Sequence, residues 1–287
     1  MTDERPALDH HAIRQAVAGT RWRSVRIVEE TGSTNADLVS LAGASDCTGS
    51  VLIAEHQTAG RGRYSRRWES PPRAQVALSV ASSAHTADQP QALGWLPLLT
   101  GLAVGEGIAE VTDPSPKLKW PNDVLLHGEE FDTDDGYGGR KVAGILAELT
   151  RGPDGPVVVI GLGINVSLTE AELPVPTAVS LNMLGPAVDR TELAAAVLRA
   201  LSRRLDQWPG DLGSVAEDYR EACATLGHQV KVQMPAGEEI EGLATAIDSI
   251  GRVVVEVASG QVVPVAAGDV THLRVTDLRV TDLRVTD

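Results

Sequence analysis

The feature that most restricts the folds open to this 287-residue chain is a change of pattern near residue 226. Upstream, apolar strand-like segments alternate with segments of helical spacing. Downstream of Gly227, only short β segments follow, at 230–234, 240–247, 253–257 and 262–265, with glycine-bearing turns between them. That is the pattern of a small all-β barrel. Upstream strands are expected at 25–29, 51–54, 76–80, 117–120, 124–127, 142–149 and 157–160. Asp9 is placed to cap a short helix that Gly19 ends, and Thr34 to cap another, with Asp37 near its third position. A long apolar helix is expected over 93–111, where Gly101, Gly105 and Gly107 suggest close packing. Leu198, Leu201, Leu205 and Trp208 place a further helix over 191–208, and another covers 215–224. The reading is an α+β chain with boundaries at 1–24, 25–226, 227–272 and 273–287. The last boundary rests on a five-residue repeat from Val270, read as a duplicated tail beyond the last strand.

Composition narrows the function. A hydrophobic content of 43% is enough for a full core, but aromatics are only 3%, so that core must be aliphatic. A formal net charge of −14 argues against a general nucleic-acid binder, which needs a broad basic surface. Cys47 and Cys223 are too few for a disulfide framework and read as buried, reduced thiols. No apolar run reads as long enough for a membrane span, and no secretory leader is visible, so the expected location is the cytoplasm.

Against that acidic background, Arg61, Arg63, Arg66, Arg67 and Arg73 crowd one short stretch, opposed in sequence by Glu69 alone. Gly60 and Gly62 alternate with the first two arginines. Such a loop is either an ordinary solvated or RGG-like element, or a clamp for a small anion. Four other segments are equally ambiguous alone. Lys119-Trp120-Pro121-Asn122-Asp123 either makes a turn or holds a hydroxyl, an adenine edge or a Mg²⁺-bound water. Lys141 ahead of an apolar strand reads as a solvated edge residue, while Gly144 behind it hints at a close approach. Gly161-Leu-Gly-Ile-Asn165 reads as the end of a buried strand, and Ser33-Thr34-Asn35 as a helix cap. The stretch 128–139, acidic and glycine-rich, reads as a hairpin tip.

The order of these segments is more telling than any one of them. Ser33-Thr34-Asn35, Gln57-x-x-Gly60-Arg61-Gly62-Arg63 with Trp68, Lys119 to Asp123, Lys141-x-x-Gly144 and Gly161 to Asn165 together resemble the biotin protein ligases, from about residue 25 to 272. The resemblance implies a class II synthetase-like catalytic domain with a mixed sheet, and an SH3-like C-terminal domain. It implies biotin and ATP as substrates, with Mg²⁺, and a biotin carboxyl carrier domain as partner. By resemblance, Ser33, Thr34, Asn35 and Gln57 meet biotin together with Gly60, Arg61, Gly62, Arg63, Trp68, Lys141 and Gly144. The nucleotide falls to Arg61, Arg63, Lys119, Trp120, Asn122, Asp123 and Asn165. Lys141 and Arg63 are the candidate catalytic cations, and no metal ligand is identifiable. The pattern starts near residue 25, which leaves too little chain for the winged DNA-binding domain of some members, so a repressor role is not expected. A homodimer is open. The enzyme alternative is a lipoate ligase, which shares the fold and the acyl-adenylate logic; the non-enzyme alternative is a nucleic-acid module using the arginine loop.

Overall fold

A computed structural model describes residues 5–84, 90–112, 116–127, 139–235 and 237–273. The repeat units after Leu273 and the acidic stretch 128–138 lie outside the described residues. The larger unit is a seven-stranded sheet. Its strands are β1 (Ser24–Thr31), β2 (Ser50–Gln57), β3 (Gln75–Ser83), β4 (Lys117–Lys119), β5 (Asp123–Leu126), β6 (Arg140–Gly152) and β7 (Gly155–Asn165), in spatial order β1-β2-β3-β7-β6-β5-β4. β1 and β2 run parallel and every other neighbouring pair antiparallel, so the sheet is mixed. Lys141 therefore opens an interior strand, paired on both sides, and not the edge strand that its position in the sequence suggested.

Helix α2 (Thr34–Ala44) covers one face of the sheet, and α1 (His10–Ala16), α3 (Leu96–Val111), α4 (Arg190–Gln207) and α5 (Leu212–Ala222) lie on the other side. The two faces differ in bulk. On the α3–α4 face, β3 and β7 supply Val76, Leu78, Val80, Ile160 and Ile164 to the main core. The alternate residues of the same strands are Ala77, Ser79, Ala81, Gly161 and Gly163. Side chains along a strand alternate in direction, so beside Val157 and Val159, which pack on α2, this face has a floor of small residues with space above it. The expected close approach at a helix-3 glycine holds only at Gly107, where a Cβ would come within 2.8 Å of the Val197 backbone; at Gly105 nothing lies within 4 Å. The 21-residue stretch Gln91–Val111 is long and apolar enough to cross a membrane, contrary to the sequence expectation, but it is a mostly buried core helix packed on α4. Both cysteines are free and buried, and burial pushes both thiols up, which favours the protonated form.

The second sheet holds β8 (Gln229–Gln233), β9 (Glu239–Ile247), β10 (Val253–Glu256), β11 (Val262–Val265) and β12 (Asp269–His272), in order β11-β10-β9-β8-β12. β11 and β12 form its two edges, so the expected barrel is an antiparallel sheet left open. The first three residues of the terminal repeat, Val270–His272, lie in β12, which pairs with β8; no strand was expected there from the sequence, although the boundary at 272 includes them in the second unit. The helix cap also shifts by one: Ser33, not Thr34, accepts from Ala36 N.

A buried ion pair ties the elements behind the sheet. Arg190, 5% exposed, meets Glu55, 2% exposed, at 2.7 Å. Glu55 also accepts from Leu8 N at 2.6 Å, and Arg190 donates to the Gln75 and Pro6 carbonyls. Removing one member of such a pair leaves an uncompensated buried charge. Arg190→Met is expected to destabilise the fold by about 3 kcal/mol; a urea midpoint unchanged from wild type would contradict this.

Candidate active site

Above the small-residue floor lies a cavity of about 430 Å³. Its lining includes Ser33, Thr34 and Asn35 from the start of α2, Gln57 from the end of β2, and Arg61, Gly62, Arg63 and Trp68 from the arginine loop. Asn122 and Asp123 come from the β4–β5 junction, Lys141 and Gly144 from β6, and Asn165 from the end of β7. Segments spread over more than 130 residues thus converge on one space. Gly60 does not line it. That glycine closes the neck of the loop, where a Cβ would meet the Trp68 carbonyl at 2.4 Å. Lys119 and Trp120 are also displaced: both are 2% exposed and line a smaller neighbouring cavity of about 160 Å³, which shares Arg66, Asn122, Asp123 and Asp269 with the first. The Trp120 indole donates to the Gly251 carbonyl, in the turn between β9 and β10, at 2.9 Å.

One end of the cavity is a neutral hydrogen-bonding surface. Gln57 Oε1 accepts from Thr34 N at 2.8 Å, and Thr34 Oγ1 lies 2.7 Å from Ser79 Oγ, which donates to Asn35 Oδ1 at 2.7 Å. Asn35 Nδ2 donates in turn to Glu148 at 2.8 Å, and Glu148 pairs with Arg61 at 3.2 Å. Hydroxyls and amides so arranged offer both donors and acceptors without net charge. Gly161 is required there, because a Cβ would fall 2.2 Å from Asn35 Oδ1. It sits inside β7, which runs on to Asn165, so the segment is the end of a buried strand, as the sequence suggested.

The other end is cationic. Lys141 Nζ lies 2.5 Å from Asp123 Oδ1 and 5.5 Å from the centre of the Trp68 ring. Arg63 donates to Asn122 Oδ1 at 3.2 Å and to the Gly268 carbonyl at 3.1 Å, and Arg66 pairs with Asp269. Glu69, which pairs with Arg67, is thus joined by remote acids that sequence proximity could not reveal: Arg61 pairs with Glu148 and Arg73 with Glu29. The loop is closed on itself by Gly62 N to the Arg66 carbonyl at 2.7 Å, with Tyr64 at its tip in the left-handed region, φ 53°. Trp68 lies against Gly163, where a Cβ would come within 2.5 Å of the indole, and its Nε1 donates to Gln75 Oε1 at 2.5 Å. Sequence reasoning missed Gln75, Ser79, Glu148 and Asp269. For Ser79 and Gln75 a signal existed, since each is a polar residue inside an otherwise apolar strand.

Residues 31–165 match the Biotin/lipoate A/B protein ligase family, and residues 225–273 match the Biotin protein ligase C terminal domain. These matches place the chain among the ligases that attach biotin or lipoate. Within that class, it is 44% identical over 285 residues to a biotin–[acetyl-CoA-carboxylase] ligase of Mycobacterium tuberculosis, covering 96% of this chain and 100% of that protein. It is 31% identical over 252 residues to the bifunctional ligase/repressor BirA of Escherichia coli, covering 86% of this chain and 74% of that protein. Its fold is similar to the Aquifex aeolicus biotin protein ligase in complex with biotin and ATP, with a TM-score of 0.71 at 26% identity over 88% of this chain and 99% of that one. The chain belongs to the biotin protein ligase family.

Gly163→Ala is expected to drive the Trp68 indole off the floor and to weaken biotin binding at least about tenfold, by analogy with other over-packed sites. Calorimetric titration giving the wild-type affinity would show that the indole has room to move.

Proposed function

We propose that this cavity is where biotin and ATP are joined. The chain is a ligase that activates biotin with ATP to biotinyl-5′-AMP and passes biotin to one lysine of a biotin carboxyl carrier domain. The observation that carries the assignment of the site is its polarity from end to end: a neutral hydrogen-bonding pocket at Ser33, Thr34 and Gln57, and a cluster of cations at Lys141 and Arg63. A ureido ring suits the first, and a carboxylate meeting a triphosphate suits the second.

In the first step, a biotin carboxylate oxygen bonds to the α-phosphorus, and the bond to the bridging oxygen breaks, so that pyrophosphate leaves with the electron pair. Two anions must approach each other. Lys141 and Arg63 offset that repulsion, and one well-placed donor in a site shielded from water is worth ~3 kcal/mol. Asp123 holds the Lys141 ammonium in place meanwhile, and Asn122 holds the Arg63 guanidinium, so both cations are positioned before substrate arrives. Asn122, Asp123 and Asn165 take the nucleotide end, with Lys119 and Trp120 behind them. Mg²⁺ accompanies the triphosphate; among the described residues no group of three His, Cys, Asp or Glu could hold a metal ion, and we assign it no protein ligand. In the second step, the neutral lysine amine of the carrier attacks the acyl carbonyl, AMP leaves, and the amine proton passes to solvent. The enzyme forms no covalent bond itself.

We read residues 25–226 as the catalytic unit and 227–272 as a unit against which the arginine loop closes. The loop is the lid that keeps the adenylate from water until the carrier arrives. No DNA or membrane partner is proposed; a homodimer is compatible with the exposed edges of the sheets, and the cytoplasm is the proposed location.

Lys141→Ala is expected to abolish biotin-dependent pyrophosphate release, and wild-type release would remove Lys141 from the site. Arg63→Gly should let the adenylate escape and label lysines on bystander proteins. Mass spectrometry showing no more bystander labelling than wild type would exclude a retaining role. Hydrogen exchange over residues 58–68 should slow when biotin and Mg·ATP are added together; identical rates would argue against a lid.

A further inference from the structure

We infer that Gln75 is the positioning residue that sets the plane of the Trp68 indole, and with it the shape of the wall against which biotin packs. The inference rests on the reading that Trp68 forms that wall. Strand β3 is buried on both faces from Gln75 to Ser82, and its neighbours across the sheet are apolar or glycine along most of β7. A glutamine 1% exposed is out of place there.

Its side chain makes one hydrogen bond, accepting the Trp68 indole N–H at 2.5 Å, while its Nε2 has no hydrogen-bond partner among the described residues. An apolar side chain of the same length would bury no unpaired amide, so packing alone does not account for a glutamine. The indole bond does. A buried tryptophan N–H needs an acceptor, and an acceptor on a rigid strand selects one orientation of the ring.

The strand is rigid at this point for a visible reason. The Gln75 carbonyl accepts from Arg190 Nη1 at 3.1 Å, and Arg190 is held by Glu55. Gln75 is also in register with Asn165, which lines the cavity and is itself fixed by donating to the Val179 carbonyl. The oriented indole then rests on Gly163, with its far edge 3.0 Å from the Cβ position of Gly144 and with Lys141 facing its ring. Gln75 does not line the cavity. It acts through Trp68.

The test is a double-mutant cycle on the full chain, reading KM for biotin and kcat in pyrophosphate release. Gln75→Met is expected to raise KM for biotin about tenfold with kcat changed less than about threefold, as loss of a binding wall requires. Trp68→Phe, which keeps an aromatic ring but has no N–H, is expected to raise it similarly. Gln75→Met added to Trp68→Phe should then cost nothing further, because the bond is already gone. A Gln75→Met protein with wild-type KM, or one whose effect multiplies with that of Trp68→Phe, would overturn the inference. Should Gln75→Met not fold, hydrogen exchange of ¹⁵N-labelled indoles in the wild-type protein decides: a protected Trp68 N–H is expected, and exchange at the rate of an exposed indole overturns the bond. If Trp68→Phe and Trp68→Ala both leave KM for biotin unchanged, the assignment of Trp68 to the biotin wall is wrong, while the indole exchange still decides whether Gln75 holds the ring.

Discussion

Everything at the site depends on the two-residue alternation of β3 and β7. These strands are paired from Gln75↔Asn165 to Ser83↔Val157 at the centre of the sheet, and between Val76↔Ile164 and Val80↔Ile160 their side chains divide by size between its two faces. Val76, Leu78, Val80, Ile160 and Ile164 bind the sheet to the helices behind it. Ala77, Ser79, Gly161 and Gly163 leave the front face shallow. One hydrogen-bonded ladder therefore supplies both the adhesion of the core and the volume of the cavity. A one-residue slip of β7 would send large aliphatic groups into the space that Asn35 and Trp68 occupy. The glycines are demanded by contacts, since their Cβ positions fall within 2.5 Å of Asn35 and Trp68 atoms.

The charge problem posed by the loop is solved by remote acids and carbonyls. Five arginines within thirteen residues repel one another, yet Arg61, Arg66, Arg67 and Arg73 each meet a carboxylate, and Arg63 meets the Asn122 amide and the Gly268 carbonyl. Most of these pairs are partly exposed and individually weak. That suits the lid proposed for this segment, which has to exchange partners. A pair worth little is readily given up to a phosphate or carboxylate, whereas the buried Arg190–Glu55 pair belongs to the permanent frame.

Much of this was legible in the sequence, and the gaps have physical reasons. Short-range pattern located the strands and helices of the larger unit to within a few residues, because burial on one or both faces leaves a period in the chain. The order of the motifs identified Lys141, Arg63, Gln57 and the start of α2, which the fold brings to one cavity. What stayed hidden is tertiary. Glu148 and Asp269 look like ordinary surface acids until the sheet brings them to Arg61 and Arg66. Trp120 sits among the Lys-Trp-Pro-Asn-Asp residues but points away from the main cavity. β12 was obscured because its five-residue unit recurs downstream, so the repeat masked a strand that pairs with β8. The Trp68–Gln75 bond could have been suspected from an amide inside an apolar strand, though not its partner.

The turn between β9 and β10 is gripped by two indoles of the larger unit. Trp95 donates to the Ser249 carbonyl at 3.0 Å and Trp120 to the Gly251 carbonyl at 2.9 Å, while Gly94 leaves room for the Ile250 backbone. The second sheet is thus pegged beside the residues that precede Asn122 and Asp123, and its far end presents Gly268 and Asp269 to the loop. A chain cut at residue 226 would lose more than its last strands. It would uncover two indoles that are now buried, wet the side of the proposed nucleotide end, and take away the shore on which the arginine loop lands.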